Sequence, residues 1–164
     1  MKELFWQGET TLKIAALVMI DLDGLKYVND TYGHTYGDQY IKSAAEVFVK
    51  SVPENTLISR PGGDEFYILF YGYSSRSEIQ RYLDQLEKDI RAQSILLPNG
   101  DSFMLHLSAG VAWYPDDTTD RKEFTQYADF AMYQIKRTVK DQLVTLIKKH
   151  IGQVRNNIIK KKTE

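Results

Sequence analysis

The sequence predicts an α+β fold, a ferredoxin-like βαββαβ core whose antiparallel or mixed central sheet is flanked by helices. Three observations carry this. Ile14 to Ile20 is almost continuously apolar, as in a strand buried on both faces. Phe103, Leu105, Leu107, Ala109, Val111 and Trp113 alternate at the period of a strand. Between these runs lie a Pro-Gly-Gly turn framed by apolar segments and a helix with a clear apolar stripe.

Residues 1–12 read as the ragged remnant of an N-terminal segment, with Gly8 interrupting Leu4, Phe5 and Trp6. The first strand runs from Lys13 to Ile20 and ends in Asp21-Leu22-Asp23-Gly24. Leu25 to Asn29 is helical, and Thr31 to Asp38, carrying Gly33 and Gly37, reads as a loop or sharp break. Helix resumes with Ile41, Ala44, Ala45, Phe48 and Val49. Leu57-Ile58 and Phe66 to Phe70 form a hairpin around Pro61-Gly62-Gly63, because proline presets φ and glycine tolerates positive φ. Ser75 to Glu78 matches a capping box, opening a helix with Ile79, Leu83, Leu86 and Ile90 on one face. After the Pro98-Asn99-Gly100-Asp101 turn comes the alternating strand, then a helix marked by Phe124, Ala128, Ala131 and Ile135. Leu143, Ile147, Ile151, Val154 and Ile158 keep helical spacing and predict a C-terminal helical extension with a basic end. The domain is therefore assigned to 13–140 and the tail to 141–164, with the core helices expected on one face of the sheet.

The chain has 164 residues, enough for one domain with a substantial core. Its net charge of −1 supplies no basic field for nucleic acid. It has no cysteine, which excludes thiolate metal sites and fits a cytoplasmic setting. The longest apolar run is too short to span a bilayer, and no secretory signal is evident.

The chemistry gathers at two acidic points. Asp21 stands at the carboxyl end of a buried strand, a common place for ligand chemistry in open sheets and also for a plain loop-start acid. Asp64 and Glu65 sit at the hairpin bend, where a charged tip needs no function. In this topology the strand end and the bend are neighbours, so Asp21, Asp23, Asp64 and Glu65 converge. Such acids cannot all ionise without a counter-charge, because like charges raise one another's pKa. A divalent cation meets that need, and oxygen donors without nearby His or Cys point to Mg²⁺ or Mn²⁺. Two such ions can activate a hydroxyl and stabilise a leaving oxygen.

Four collinear blocks resemble the GGDEF domain, the family of diguanylate cyclases. They are Gly62-Gly63-Asp64-Glu65-Phe66; Asp21-Leu22-Asp23-Gly24-Leu25-Lys26-Tyr27-Val28-Asn29-Asp30 with Gly33-His34 and Gly37-Asp38; Ser108 to Ala112 with Tyr114-Pro115; and Ala128-Asp129 through Ala131-Met132-Tyr133 to Lys136. The resemblance implies a nucleotide-cyclase or polymerase-palm-like fold. It implies condensation of two GTP to cyclic di-GMP with release of two pyrophosphates, in a homodimer holding one GTP per subunit.

The resemblance also implies residue roles. Asp21 and the Leu22 carbonyl bind metal, Asp64 binds metal and acts as base toward the 3′-hydroxyl, and Glu65 supports the metal. Lys26 lies near the phosphates, Asn29 and Asp38 read guanine, and Gly62 and Gly63 let the nucleotide approach. Lys136 and Lys140 reach the terminal phosphates. Read alone, Lys26 is a solvated helix lysine, Asn29 a helix-terminus residue and Asp38 a helix N-cap.

The chain departs from the family pattern in three places. Val139-Lys140 stands where the family usually has glycine and arginine, which implies weaker triphosphate binding. Pro53-Glu54-Asn55-Thr56 stands where many members carry an Arg-x-x-Asp product-inhibition site. The family's opening block is missing, which implies that an upstream sensory or dimerisation module is absent and that a parent protein could be membrane-attached. The alternative to an active cyclase is a weak or inactive module that binds GTP for regulation.

Overall fold

The computed structural model describes residues 13–138 and 146–148. Strand β1 (Ile14–Asp23) leads through Gly24 into helices α1 (Leu25–Tyr32) and α2 (His34–Ser51). The hairpin β2 (Leu57–Gly62) and β3 (Glu65–Tyr73) follows, then α3 (Arg76–Arg91). A small hairpin, β4 (Ser94–Leu96) and β5 (Ser102–Met104), precedes β6 (His106–Tyr114), α4 (Arg121–Thr138) and β7 (Leu146–Lys148).

The main sheet has the order β2-β3-β1-β6-β7, so β1 lies at its centre. β1 pairs antiparallel with both β3 and β6. Its apolar run is buried almost throughout, as a central strand covered on both faces requires.

Alternation along β1 assigns the two faces. Ala16, Val18, Ile20 and Leu22 pack with Tyr40, Phe48, Ile79, Leu83 and Leu86, beneath α2 and α3. Ala15, Leu17 and Met19 pack with Phe124, Ala128, Ala131 and Met132 of α4. The helices therefore cover both faces, not one. The odd-numbered apolar residues of β1 need cover as much as the even-numbered ones do.

Gly110 of β6 shows how closely α4 seats. A Cβ there would lie 2.2 Å from the Met132 amide nitrogen and 2.3 Å from the Ala128 carbonyl oxygen. Only a residue without a side chain lets the helix backbone approach this near.

Four local expectations change. The break between the first two helices is Gly33 alone, at φ 89° and ψ 164°, so residues 34–38 are helical rather than loop. Gly33 reaches that conformation without steric cost and turns the chain in one step. The stripe of α2 is phased differently from the expected one: Tyr40, Ala44, Val47 and Phe48 are buried, while Val49 is 66% exposed. The alternating run 103–113 divides at Leu105, whose N–H bonds the Gln93 carbonyl, so Phe103 belongs to the small hairpin. Finally, Leu146–Lys148 is not helical but a parallel strand against Ser108–Gly110. Pairing the open edge of β6 satisfies backbone groups that a helix there would leave unmatched. The rest of the expected helical tail lies outside the described residues.

Candidate active site

The site begins with a two-residue turn. Gly62 pairs with Glu65, leaving Gly63 and Asp64 as the link between β2 and β3. Gly63 has φ 57°, a left-handed conformation that glycine adopts freely. A Cβ at Gly62 or Gly63 would meet open space, so both expose bare backbone.

The turn is tied to β1. The Leu22 N–H donates to the Asp64 carbonyl at 3.0 Å. Asp21 stands directly opposite Glu65 on β3 and Ser108 on β6. Opposed residues in antiparallel strands share a face, so Asp21 and Glu65 face the same way. The β1–β3 register ends at this pair. The Leu22 carbonyl follows its N–H in pointing toward the turn.

Asp21 is only 7% exposed. Its carboxyl is pushed above the ordinary range, first by burial; the hydrogen bond and charge of Lys136 pull it back, and Asp64 and Asp23 add repulsion. Lys136 Nζ lies 2.5 Å from Asp21 Oδ2, reaching down from α4. Asp23 is also raised, chiefly by burial, while a 2.8 Å hydrogen bond from the Ser108 hydroxyl and the nearby charges of Lys136 and His106 oppose the shift. Asp64 repels both acids. His106, opposite Asp23 in the sheet, is lowered by burial and lifted in part by Asp23.

The other side of the strand end is pinned by Tyr40. Its hydroxyl donates to the Asp23 carbonyl at 2.9 Å, lies 3.2 Å from the His106 carbonyl and accepts from the His106 N–H at 2.8 Å. The segment where β1 turns into α1 is therefore fixed from both faces of the sheet.

The structure brings together Asp21, Leu22, Asp64, Glu65 and Lys136. It also brings Asn29 beside Asp38's neighbour: the Asn29 amide occupies the space of the missing Gly37 side chain, 2.0 Å from where a Cβ would stand. Asp38 is exposed and lies within α2, so it is not the helix N-cap, a position held by Gly33. Lys26 is exposed on the first turn of α1, and among the described residues no ion pair joins it to the acids. Lys140 lies outside the described residues.

The sequence assigns no site role to Ser108, Tyr40 or Arg60, although Ser108 opens one of the family-like blocks and Arg60 precedes the Pro-Gly-Gly turn. Alternation along β6 carries a signal for Ser108, since it sets this residue on the face opposite Leu107. Nothing local marks Tyr40 or Arg60.

A divalent cation is a fair match to these donors. The acids are oxygen ligands; Asp21 and Asp23 are crowded and raised, with Lys136 beside Asp21 as the present counter-charge. Among the described residues, no three acidic or histidine side chains are grouped tightly enough to hold a metal ion unaided. Mg²⁺ suits such a site, since it binds through one or two carboxylates and completes its shell with water and substrate phosphate.

The family model of the diguanylate cyclase GGDEF domain matches residues 2–142. The chain belongs to the GGDEF domain family. An uncharacterized membrane protein of Staphylococcus aureus (strain USA300) is 32% identical over 131 residues, which cover 79% of this chain and 36% of that protein. The chain thus spans about a third of the length of the curated relatives it matches. Among solved structures, a shortened form of the Pseudomonas aeruginosa protein TpbB or YfiN, comprising only the GGDEF domain, is similar at TM-score 0.73 and 27% identity, with 88% of this chain and 82% of that one covered. A sensory box/GGDEF family protein from Caulobacter crescentus is similar at TM-score 0.66 and 28% identity, covering 76% of this chain and 80% of that one. The GGDEF chain shares the mixed α+β architecture of these domains and is homologous to diguanylate cyclases. No helix among the described residues is long and apolar enough to cross a membrane.

Proposed function

We propose that this GGDEF chain is a diguanylate cyclase domain. It joins two GTP into cyclic di-GMP and releases two pyrophosphates, each subunit of a two-fold dimer presenting one GTP. One observation carries this reading beyond family membership. The Leu22–Asp64 backbone bond holds the hairpin turn against the end of β1, so that Asp64 and the buried Asp21 share one charge environment.

Asp21, the Leu22 carbonyl and Asp64, with Glu65 in support, would hold Mg²⁺ or Mn²⁺, two ions per half-site. Bound there, the ions lower the pKa of an attacking hydroxyl and offset charge on the transferring phosphate. Asp64 accepts the proton of the 3′-hydroxyl as that oxygen attacks the α-phosphate of the partner's nucleotide. Lys136 leaves Asp21 for the terminal phosphates, joined by Lys140, and Lys26 supports the phosphates from α1. Asp38 accepts from guanine's N1–H and amino group, and the Asn29 amide pairs with another base edge. Adenine lacks that donor pair, so GTP is preferred. Gly62 and Gly63 leave room for ribose and phosphate against the hairpin.

The parent protein carries an upstream sensory or dimerisation module, with this domain on the cytoplasmic side. The Staphylococcus aureus relatives, of which this chain spans about a third, are named membrane proteins, and this supports the reading. Val139-Lys140 favours a second reading, a GTP-binding regulatory module that cyclises weakly or not at all.

Turnover against protein concentration separates the two. A cyclase that completes its site by pairing shows a rate per chain that rises with concentration and becomes independent of it once a fused coiled coil enforces the dimer. GTP binding with no cyclic dinucleotide at any concentration sinks the enzyme reading.

A further inference from the structure

The hairpin that carries Asp64 is weakly laddered where it matters most. Ser59 pairs with Tyr67 and Gly62 with Glu65, so Arg60 and Pro61 together oppose the single residue Phe66. This is a bulge, and Pro61 brings no N–H to the ladder. Among the described residues β2 is also the sheet's edge strand, with no neighbour beyond it. The turn at Gly63-Asp64 therefore hangs from a poorly bonded arm on its β2 side.

Arg60 makes up the deficit. Its guanidinium donates twice to the Gly63 carbonyl, from Nε at 3.1 Å and from Nη2 at 2.8 Å. The next carbonyl, that of Asp64, is held by the Leu22 N–H at 3.0 Å. Both carbonyls of the two-residue turn are thus fixed, one from each side. The peptide between Gly63 and Asp64 and the peptide after Asp64 are fixed with them, and these two peptides set the direction of the Asp64 side chain.

We propose that Arg60 is a positioning residue for Asp64, its two-pronged hold on the Gly63 carbonyl replacing the ladder bonds lost at the Arg60-Pro61 bulge. The planar fork suits this task, because two parallel donors fix orientation where a single ammonium fixes only distance. The value of the aspartate's position rests on the cyclase reading; the clamp on the turn does not.

The test has two arms. The first is amide hydrogen exchange by NMR on the protein without metal or nucleotide. In Arg60→Ala the Leu22 amide, which bonds the Asp64 carbonyl, exchanges roughly three- to tenfold faster, while the Val18 amide in the middle of β1 does not change. Arg60→Lys falls between Arg60→Ala and the parent. Arg60 is exposed, so these variants fold. An unchanged Leu22 rate in Arg60→Ala overturns the clamp.

The second arm titrates Mn²⁺ into the parent, Arg60→Ala, Asp64→Asn and the double variant. If Arg60 acts through Asp64, Arg60→Ala weakens Mn²⁺ binding several-fold in the parent background and not in Asp64→Asn. Equal losses in both backgrounds overturn the route through Asp64. Failure of the parent itself to bind Mn²⁺ contradicts the metal site of the proposed function, and the exchange arm then decides the clamp alone.

Discussion

Lys136 places its ammonium 2.5 Å from Asp21 Oδ2, so the cation expected on the phosphates sits instead on the acid proposed to bind metal. One positive charge cannot serve both. The two proposed occupants of this site, metal and nucleotide, should therefore respond in opposite directions when Lys136 is removed. In Lys136→Met, Mn²⁺ without nucleotide binds about fivefold more tightly, because its internal competitor is gone. GTP with its metal binds about tenfold more weakly, because a phosphate contact is lost. Calorimetric titrations of both ligands check the pair of signs.

The pH dependence follows from the same acids. Asp21 and Asp23 are raised above their ordinary value of 3.8, so the folded state prefers them protonated. Within the window between 3.8 and their raised values, the folded protein binds more protons than the unfolded chain. The contribution of these two acids to the stability of the metal-free domain is therefore fullest below that window and is lost as pH rises through it. Asp21→Asn removes part of the slope and, at neutral pH without metal, melts about 2–4 °C higher than the parent. Metal binding runs the other way, since it needs the ionised acids, so Mn²⁺ affinity falls as pH drops into the window. Thermal melts and Mn²⁺ titrations across pH measure both.

Gly37 tests the pair proposed to read guanine. A Cβ there would overlap the Asn29 amide, a movable side chain rather than backbone. Gly37→Ala thus displaces Asn29 with little loss of stability, and GTP affinity falls roughly tenfold. Unaltered GTP affinity would remove Asn29 from the guanine site.

Gly110 tests how Lys136 is placed. Its missing side chain faces backbone atoms of α4, which cannot yield. Gly110→Ala pushes the helix from the sheet and costs about 1–3 kcal/mol or more by denaturant unfolding. Because α4 carries Lys136, the same variant weakens the contact to Asp21.

Product feedback should be weak. Pro53 to Thr56 form a tight turn closed by the Thr56 N–H on the Pro53 carbonyl at 3.0 Å, with no arginine or aspartate among these four residues. Titration with cyclic di-GMP shows no tight binding there; tight binding abolished by substitutions in 53–56 would overturn this.

The sequence disclosed the parts governed by short-range periodicity. β1 was readable because burial on both faces leaves an unbroken apolar run, and α3 because its stripe and Ser75 cap are local signals. The acids were readable because Asp21 interrupts that run and Asp64 follows two glycines. Relations between distant segments were not readable. Tyr40 reaches Asp23 and His106, and Lys136 reaches Asp21, only because the sheet stacks them. The seat of α4 on the second face depends on Gly110, which looks like any other glycine in a strand. The parallel strand Leu146–Lys148 hid because its residues also fit a helical stripe, and only the open edge of β6 decides between the two.

The most direct test of the cyclase reading is product analysis from an enforced dimer given GTP and Mg²⁺, run for the parent and for Asp64→Asn. The account requires cyclic di-GMP and two pyrophosphates from the parent, and a loss of about 10²–10⁴-fold in Asp64→Asn. GTP bound without any cyclic dinucleotide, or full turnover in Asp64→Asn, contradicts it.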